Sequence, residues 1–353
     1  MRSQNEERKS EHLRISLEED VSFHTLTAGF ERYRFEHCAL PELDLAAVDL
    51  STSLLGKRLN APLLISSMTG GTAEARDLNQ RLAQAAQQAG VGMGLGSLRA
   101  ALEDPSLLPT YQVRDVAPDI LLLSNLGAVQ LNYGYTVDHC RRAVEMVEAD
   151  GLILHLNPLQ EALQPEGQTD FSDLLRKIEA VCRALEVPVV VKEVGWGLSA
   201  DVARRLADAG VAALDVAGAG GTSWSQVEMY RSHSDTEREV AAAFRDWGIP
   251  TAEALRQVRR AVPHLPVIAS GGIRDGIQMA KAIALGAAAC GIAHPFLLAA
   301  ARSVEAVAEA INVVVTQLRV AMFAVGAQNL AALARVPLVE VPQPGHGSTE
   351  EER

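Results

Sequence analysis

The sequence is short of aromatic residues, at 4%, and of cysteine, with four in 353 residues. Cys38, Cys140, Cys182 and Cys290 lie far apart, with no CxxC and no metal-finger spacing. That excludes a zinc site on paired cysteines and a disulfide framework, and it fits reduced thiols in a cytoplasmic protein. Positive charge is also scarce: 32 Lys and Arg against 44 Asp and Glu give a net charge of −12. Nucleic acid and anionic membrane are thereby excluded as general partners, because both select basic surfaces. A small anionic ligand stays open, since it needs only a local basic cluster. The first twenty residues, MRSQNEERKSEHLRISLEED, are too charged for a signal peptide. Residues 282–301 are long enough to span a membrane but are mostly Ala and are broken by His294-Pro295. They read as a helix end, a buried strand and a new helix.

What is present, from residue 60 on, is an alternation of short apolar runs and amphipathic helical stretches. The runs are PLLIS (62–66), VGMGL (91–95), DILLLSN (119–125), LILHLN (152–157), PVVVKE (188–193), AALDVAG (212–218), PVIASG (266–271) and AACGIA (288–293). Stretches between them, such as EARDLNQRLAQAAQQAG and SADVARRLADAG, close on Gly as helix C-termini do. Eight βα units over about 250 residues predict a TIM (β/α)8 barrel. A doubly wound open sheet is the runner-up, but no Gly-rich dinucleotide turn follows the first run. The expected organisation is an N-terminal helix and cover over 1–60 that contributes to the site, a barrel over 61–337, and a disordered tail over 338–353. The charged segment 228–247, after the sixth strand, reads as a mobile lid or a surface helix.

The runs end in SSMTGG, GLGSLR, SNLG, HLNPLQE, KEVGWG, DVAGAGGTSW, SGGIRDG and GIAHP. Every one carries polar residues, glycine or both. Unpaired polar groups at buried strand ends cost free energy, so eight in register predict a site on the C-terminal face of a barrel. SGGIRDG and GIAHP follow strands seven and eight, where backbone N–H groups commonly bind phosphate. Arg274 adds a charge there, or is simply a solvated residue of a tight turn. AGAGGTSW (217–224) has the same character and adds the Thr222 hydroxyl. Lys192, at the end of strand five, is costly unless it has a partner or a use. It forms a Schiff base, lies beside an electron-rich ring, or pairs with Asp215 on the next strand.

Period-2 alternation turns Ile153, His155 and Asn157 inward and Leu152, Leu154 and Leu156 outward. Pro158 stops the strand, which puts Gln160 and Glu161 on the loop above. A lone Glu there suits either Mg²⁺ shared with substrate phosphates or a helix start. Arg8, Lys9 and His12, in ERKSEH, read alone as a solvated helix start. Arg99 is the better anion candidate, because it follows strand two.

Together SSMTGG, GLGSLR, HLNPLQE, VKEVGWG, DVAGAGGTSW, WGIPT and ASGGIRDG resemble the type 2 isopentenyl diphosphate isomerases, which are FMN-dependent TIM barrels. The resemblance runs from Arg8-Lys9 to the helix near Asn329. It implies a flavin held by Ser67, Met68, Thr69, Ser97, Asn125, Lys192 and Thr222, with its phosphate on Gly271, Gly272 and Arg274 near Ala293 and His294. It also implies a substrate diphosphate on Arg8, Lys9, Ser97 and Arg99, with His155, Asn157 and Gln160 beside it and Mg²⁺ on Glu161. His155, Asn157, Gln160 and Lys192 are then the candidate catalytic residues. Reduced FMN as acid/base, NADPH as reductant and a homo-oligomer of four or more subunits complete what it implies. Leu98 stands where a polar or small residue would be expected. The rival reading on the same barrel is an FMN-dependent oxidoreductase of a 2-hydroxy acid. A Lys192 Schiff-base lyase and a non-enzymatic binding protein are further alternatives.

Overall fold

In a computed structural model, which describes residues 4–341, the eight apolar runs are eight parallel strands closed into one barrel. Ahead of it come α1 (Gln4–Glu18), β1 (Tyr33–Phe35) and a hairpin of β2 (Thr52–Leu54) and β3 (Lys57–Leu59). The barrel strands are β4 (Leu63–Ile65), β5 (Gly92–Gly94), β6 (Leu122–Gly127), β7 (Gly151–Leu156), β8 (Val189–Glu193), β9 (Ala213–Asp215), β10 (Val267–Ser270) and β11 (Ala289–Ile292). Between them lie α2 (Ala73–Ala89), α3 (Arg99–Glu103), α4 (Val137–Glu145), α5 (Pro158–Leu163), α6 (Leu174–Ala184), α7 (Ala200–Asp208), α8 (Trp224–Arg231), α9 (Asp235–Ala243), α10 (Thr251–Ala261) and α11 (Gly276–Ala284). After β11 come α12 (His294–Ala300), α13 (Val304–Ala324), α14 (Leu330–Leu333) and β12 (Leu338–Glu340).

The alternation expected of each strand is realised. Leu64, Leu123, Ile153, Val190, Ala213, Ile268 and Ala289 point into the barrel and form one cluster with Leu54 and Leu59 of the hairpin. The hairpin therefore plugs the N-terminal end of the barrel. It is tethered there by Lys57, whose Nζ lies 2.9 Å from Asp150, while Arg114 meets the same carboxylate at 2.8 Å. The alternate residues, Leu152, Leu154, Val189, Val191 and Leu214 among them, pack outward against the helices. Residues 282–301 divide into helix, strand and helix as the sequence predicts.

Among the described residues, the helix long and apolar enough to cross a bilayer is instead α13, with 21 residues. Its Val307, Ile311, Val314, Leu318 and Met322, three or four residues apart, are buried against α2, α11 and α12. It is a packing helix of the outer layer.

The expected tail begins too early. Leu338–Glu340 form β12, antiparallel to β1, and Arg256 holds Glu340 at 2.7 Å. The rest of that tail, from 342, lies outside the described residues. Segment 228–247, for which a lid or a surface helix is expected, holds the end of α8, a short link, α9 and a closing turn.

Candidate active site at the barrel mouth

The parallel ladders set Gly127 opposite His155, His155 opposite Lys192, and Lys192 opposite Asp215. One layer of the barrel mouth is thus fixed by register alone. Above it opens a cavity of about 710 Å³, within the usual range for a small-molecule or cofactor site. Every residue the resemblance nominated lines it, from Arg8 and Lys9 on α1 to Ala293 and His294 at α12.

Each side chain has a physical reason for its state. His155 donates from Nδ1 to Asn125 Oδ1 at 2.8 Å, which leaves Nε2 as an acceptor. Burial, then Lys192, Arg8 and Lys9, depress its pKa to about 3. It is therefore neutral near pH 7 and is not a proton source there. Lys192 Nζ donates to Glu193 O at 2.9 Å and lies 3.8 Å from Asp215, so the expected partner is present while the ammonium still faces the cavity. Glu193 itself accepts from the N–H groups of Val194, Gly195, Trp196 and Gly197 at 2.5–3.2 Å. Burial nevertheless pushes its carboxyl up to about 7.

The helix start at residue 8 is not solvated. Lys9 is half-buried, donating to Ser97 O at 2.8 Å and to the Tyr111 hydroxyl. Burial, and then Arg8, lower its pKa to about 7. Burial and Arg99 also lower that of Arg8. Arg99 pairs with Glu103 at 2.9 Å. Three cationic side chains thus crowd one wall, a place that asks for an anion. Leu98 is fully buried in the main core, which is why no polar residue stands there. His294 donates to Ser16 O at 3.0 Å and ties α12 to α1.

Asn157 donates to Gln160 Oε1 at 3.2 Å and to Glu161 Oε1 at 3.0 Å, and its own Oδ1 is buried without a partner. Glu161 also accepts from Gln164 at 2.7 Å and from the Gln168 N–H at 2.6 Å. Among the described residues no three His, Cys, Asp or Glu converge as a metal cage. What exists is one carboxylate, Glu161, at the cavity wall, a hard oxygen ligand suited to a Mg²⁺ whose other ligands are water and substrate oxygens.

The residues present also fit FMN. Gly271 and Gly272 have φ of 100° and 75°, and a Cβ on either would strike Gly218 O at 2.1 Å or Gly220 O at 2.4 Å. No described hydrogen bond uses the N–H of Gly221, Gly271, Gly272 or Ile273. Arg274 lines the cavity next to them. This is an anion cradle of free amides. Deeper in, Ser67 Oγ is buried without a partner.

Sequence reasoning missed Glu228. It is fully buried in α8, where His12 and Gln160 donate to its Oε1, each at 3.0 Å, and Arg231 meets Oε2 at 2.6 Å. Burial alone would raise its pKa; His12, Arg231 and Gln160 outweigh that and hold it at about 2. The available signal was helical spacing: Trp224, Val227, Glu228 and Arg231 share a face, so this carboxylate falls on an apolar one.

A closed parallel barrel with an anion cradle after its seventh strand defines the class of TIM barrels built to bind a phosphorylated molecule. The model of the FMN-dependent dehydrogenase family matches residues 1–105 and 153–339. A mandelate oxidase bearing a monooxide FMN adduct superposes with a TM-score of 0.66 at 20% identity, covering 93% of this chain and 95% of that one, a likeness of fold. Much nearer in sequence is an isopentenyl-diphosphate delta-isomerase from Synechocystis sp., 57% identical over 331 residues, 94% of this chain and 95% of that one. The isomerase of Stutzerimonas stutzeri is 56% identical over 337 residues, 95% and 97% of the two chains. The chain belongs to the isopentenyl-diphosphate delta-isomerase family, within the broader FMN-dependent group.

Proposed function

We propose that the chain interconverts isopentenyl diphosphate and dimethylallyl diphosphate in isoprenoid biosynthesis, by a redox-neutral 1,3-allylic proton shift. The observation that carries this reading is the meeting, in one cavity, of a glycine cradle with a separate cluster of Arg8, Lys9, Arg99 and Glu161. Two anion sites suit two phosphorylated molecules, a cofactor and a substrate. The isomerase relatives, similar along nearly the whole chain, support the same reading.

Reduced FMN, when bound, would supply the acid/base nitrogens that a weakly basic alkene needs. The protein's part is binding and orientation. Gly271, Gly272 and Arg274, with Ala293 and His294, would hold the flavin phosphate. Ser67, Met68, Thr69, Ser97, Asn125 and Thr222 would hold the rest, and Lys192 would lie beside the ring and favour its anionic form. Arg8, Lys9 and Arg99 would grip the diphosphate. Glu161 would ligate a Mg²⁺ shared with it. Those remote contacts would fix the five-carbon chain against Gln160, Asn157 and His155. NADPH would keep the flavin reduced. Oxidation of a 2-hydroxy acid would require a base for the hydroxyl proton, and His155, held at about 3, is a poor one.

The test is a double-bond shift assay under anaerobic conditions. Chemically reduced, FMN-loaded protein should turn over, whereas the air-oxidised form should be silent. In Glu161→Gln the flavin spectrum should persist while Mg²⁺-dependent turnover falls. Full activity from oxidised protein, or equal activity with and without Mg²⁺, would refute the flavin role or the metal role respectively.

A further inference from the structure

Arg231 closes α8 and does not line the cavity. Its side chain is 8% exposed, and its guanidinium is divided among three carboxylates: Nη1 to Glu228 at 2.6 Å, Nη2 to Glu166 at 2.7 Å and Nε to Glu11 at 3.0 Å. Each carboxylate belongs to a different part of the mouth. Glu11 lies on α1, one turn beyond Arg8. Glu166 lies in the turn after α5, two residues before Gln168, whose N–H holds Glu161 at 2.6 Å. Glu228 lies on α8 and accepts from Gln160 at 3.0 Å.

We propose that Arg231 is a positioning residue for the isomerisation. It locks α1, the turn after α5 and α8 into one frame, so that the diphosphate grip, the metal carboxylate and Gln160 keep their relative places. The proposal rests on the isomerase reading above. Three N–H edges in one rigid plane meet three carboxylates from three elements, a geometry that a lysine ammonium does not reproduce. Without the arginine, Glu228 and Glu166 are two neighbouring carboxylates, one of them fully buried, and the side chains left to donate to Glu228 are His12 and Gln160.

The frame has two arms with different kinetic signatures. The Glu11 arm reaches only α1, which carries binding groups, so its loss acts on KM. The Glu228 arm reaches Gln160, so its loss acts on kcat. Loss of a supporting contact of this kind typically costs roughly 10- to 100-fold.

The experiment is steady-state isomerisation by the full-length, FMN-loaded, reduced protein, with rates expressed per bound flavin. Glu11→Gln should raise KM roughly tenfold and leave kcat within about twofold, the span of an ordinary surface substitution. Arg231→Lys should lower kcat by roughly 10- to 100-fold at unchanged flavin occupancy. Adding Glu11→Gln to Arg231→Lys should then cost less than it does alone, because the contact is already gone. A merely structural arginine would lower the melting temperature without separating KM from kcat. If Arg231→Lys does not fold, the KM effect of Glu11→Gln still decides. Both constants unchanged in Glu11→Gln, or full additivity in the double variant, overturns the proposal. Failure of the wild type to shift the double bond removes the isomerase reading itself, and this proposal with it. An active wild type with unaffected variants removes this proposal alone.

Discussion

Lys9 stands near the boundary between ammonium and amine at neutral pH, because burial and Arg8 hold its pKa at about 7 instead of 10.5. A bound diphosphate favours the ammonium and draws that pKa back up. Binding at pH 8 should therefore take a proton from solvent. Calorimetry in buffers of different ionisation enthalpy should show an apparent binding enthalpy that varies with the buffer, and Lys9→Met should remove most of that variation. The same slope in both proteins would place the titrating group elsewhere. His155 is the opposite case: with its pKa at about 3 it stays neutral while an anion binds. Its Nδ1–H is committed to Asn125, so what it offers the cavity is an acceptor.

Among the elements, the hairpin of β2 and β3 separates stability from function. Leu54 and Leu59 are 2% and 1% exposed and close the N-terminal end of the barrel, opposite the site. Leu54→Ala should cost about 2–5 kcal/mol of stability. The unfolding midpoint of the FMN-loaded protein should fall while KM for the diphosphate stays the same. A shifted KM with an unchanged midpoint would mean that the plug acts on the mouth. The barrel strands were legible because period-2 alternation and polar strand ends are local signals, readable within six residues of β7 itself. Register then follows, and it alone puts His155 beside Lys192 and Lys192 beside Asp215. Glu228 and Arg231 were not legible in the same way. Their burial depends on α1 docking against α8, a contact between segments more than two hundred residues apart. The strand β12 was hidden for a similar reason: three residues suffice only because β1 lies there to pair with them. Lys9 became readable through the likeness of its motif, since a charged helix start carries no local sign that the helix will be buried.

Across the whole molecule the buried titratable groups set a stability profile whose parts oppose one another. Stability rises with pH wherever the unfolded chain holds more protons than the folded one. His155 titrates at 6.5 unfolded and about 3 folded, so its contribution is lost as pH falls from 6.5 towards 3. Glu228, at 4.5 unfolded and about 2 folded, loses its contribution as pH falls below 4.5. Glu193 is raised from 4.5 to about 7, so the folded state holds the extra proton between those values and stability there falls as pH rises. Between pH 4.5 and 6.5 His155 and Glu193 nearly cancel; below 4.5 His155 and Glu228 add. Urea midpoints of the FMN-loaded protein should reflect these groups as a shallow slope down to pH 4.5 and a steeper loss beneath it. Other carboxylates titrate in the same range, so the decisive quantity is the difference between wild type and His155→Gln. Removing the imidazole leaves Glu193 unopposed, and the variant should gain on the wild type by about 1.4 kcal/mol per pH unit as pH falls from 6.5 to 4.5. Parallel curves over that interval would mean that His155 titrates alike in the folded and unfolded chain, and that its neutral state in the mouth is not enforced by burial.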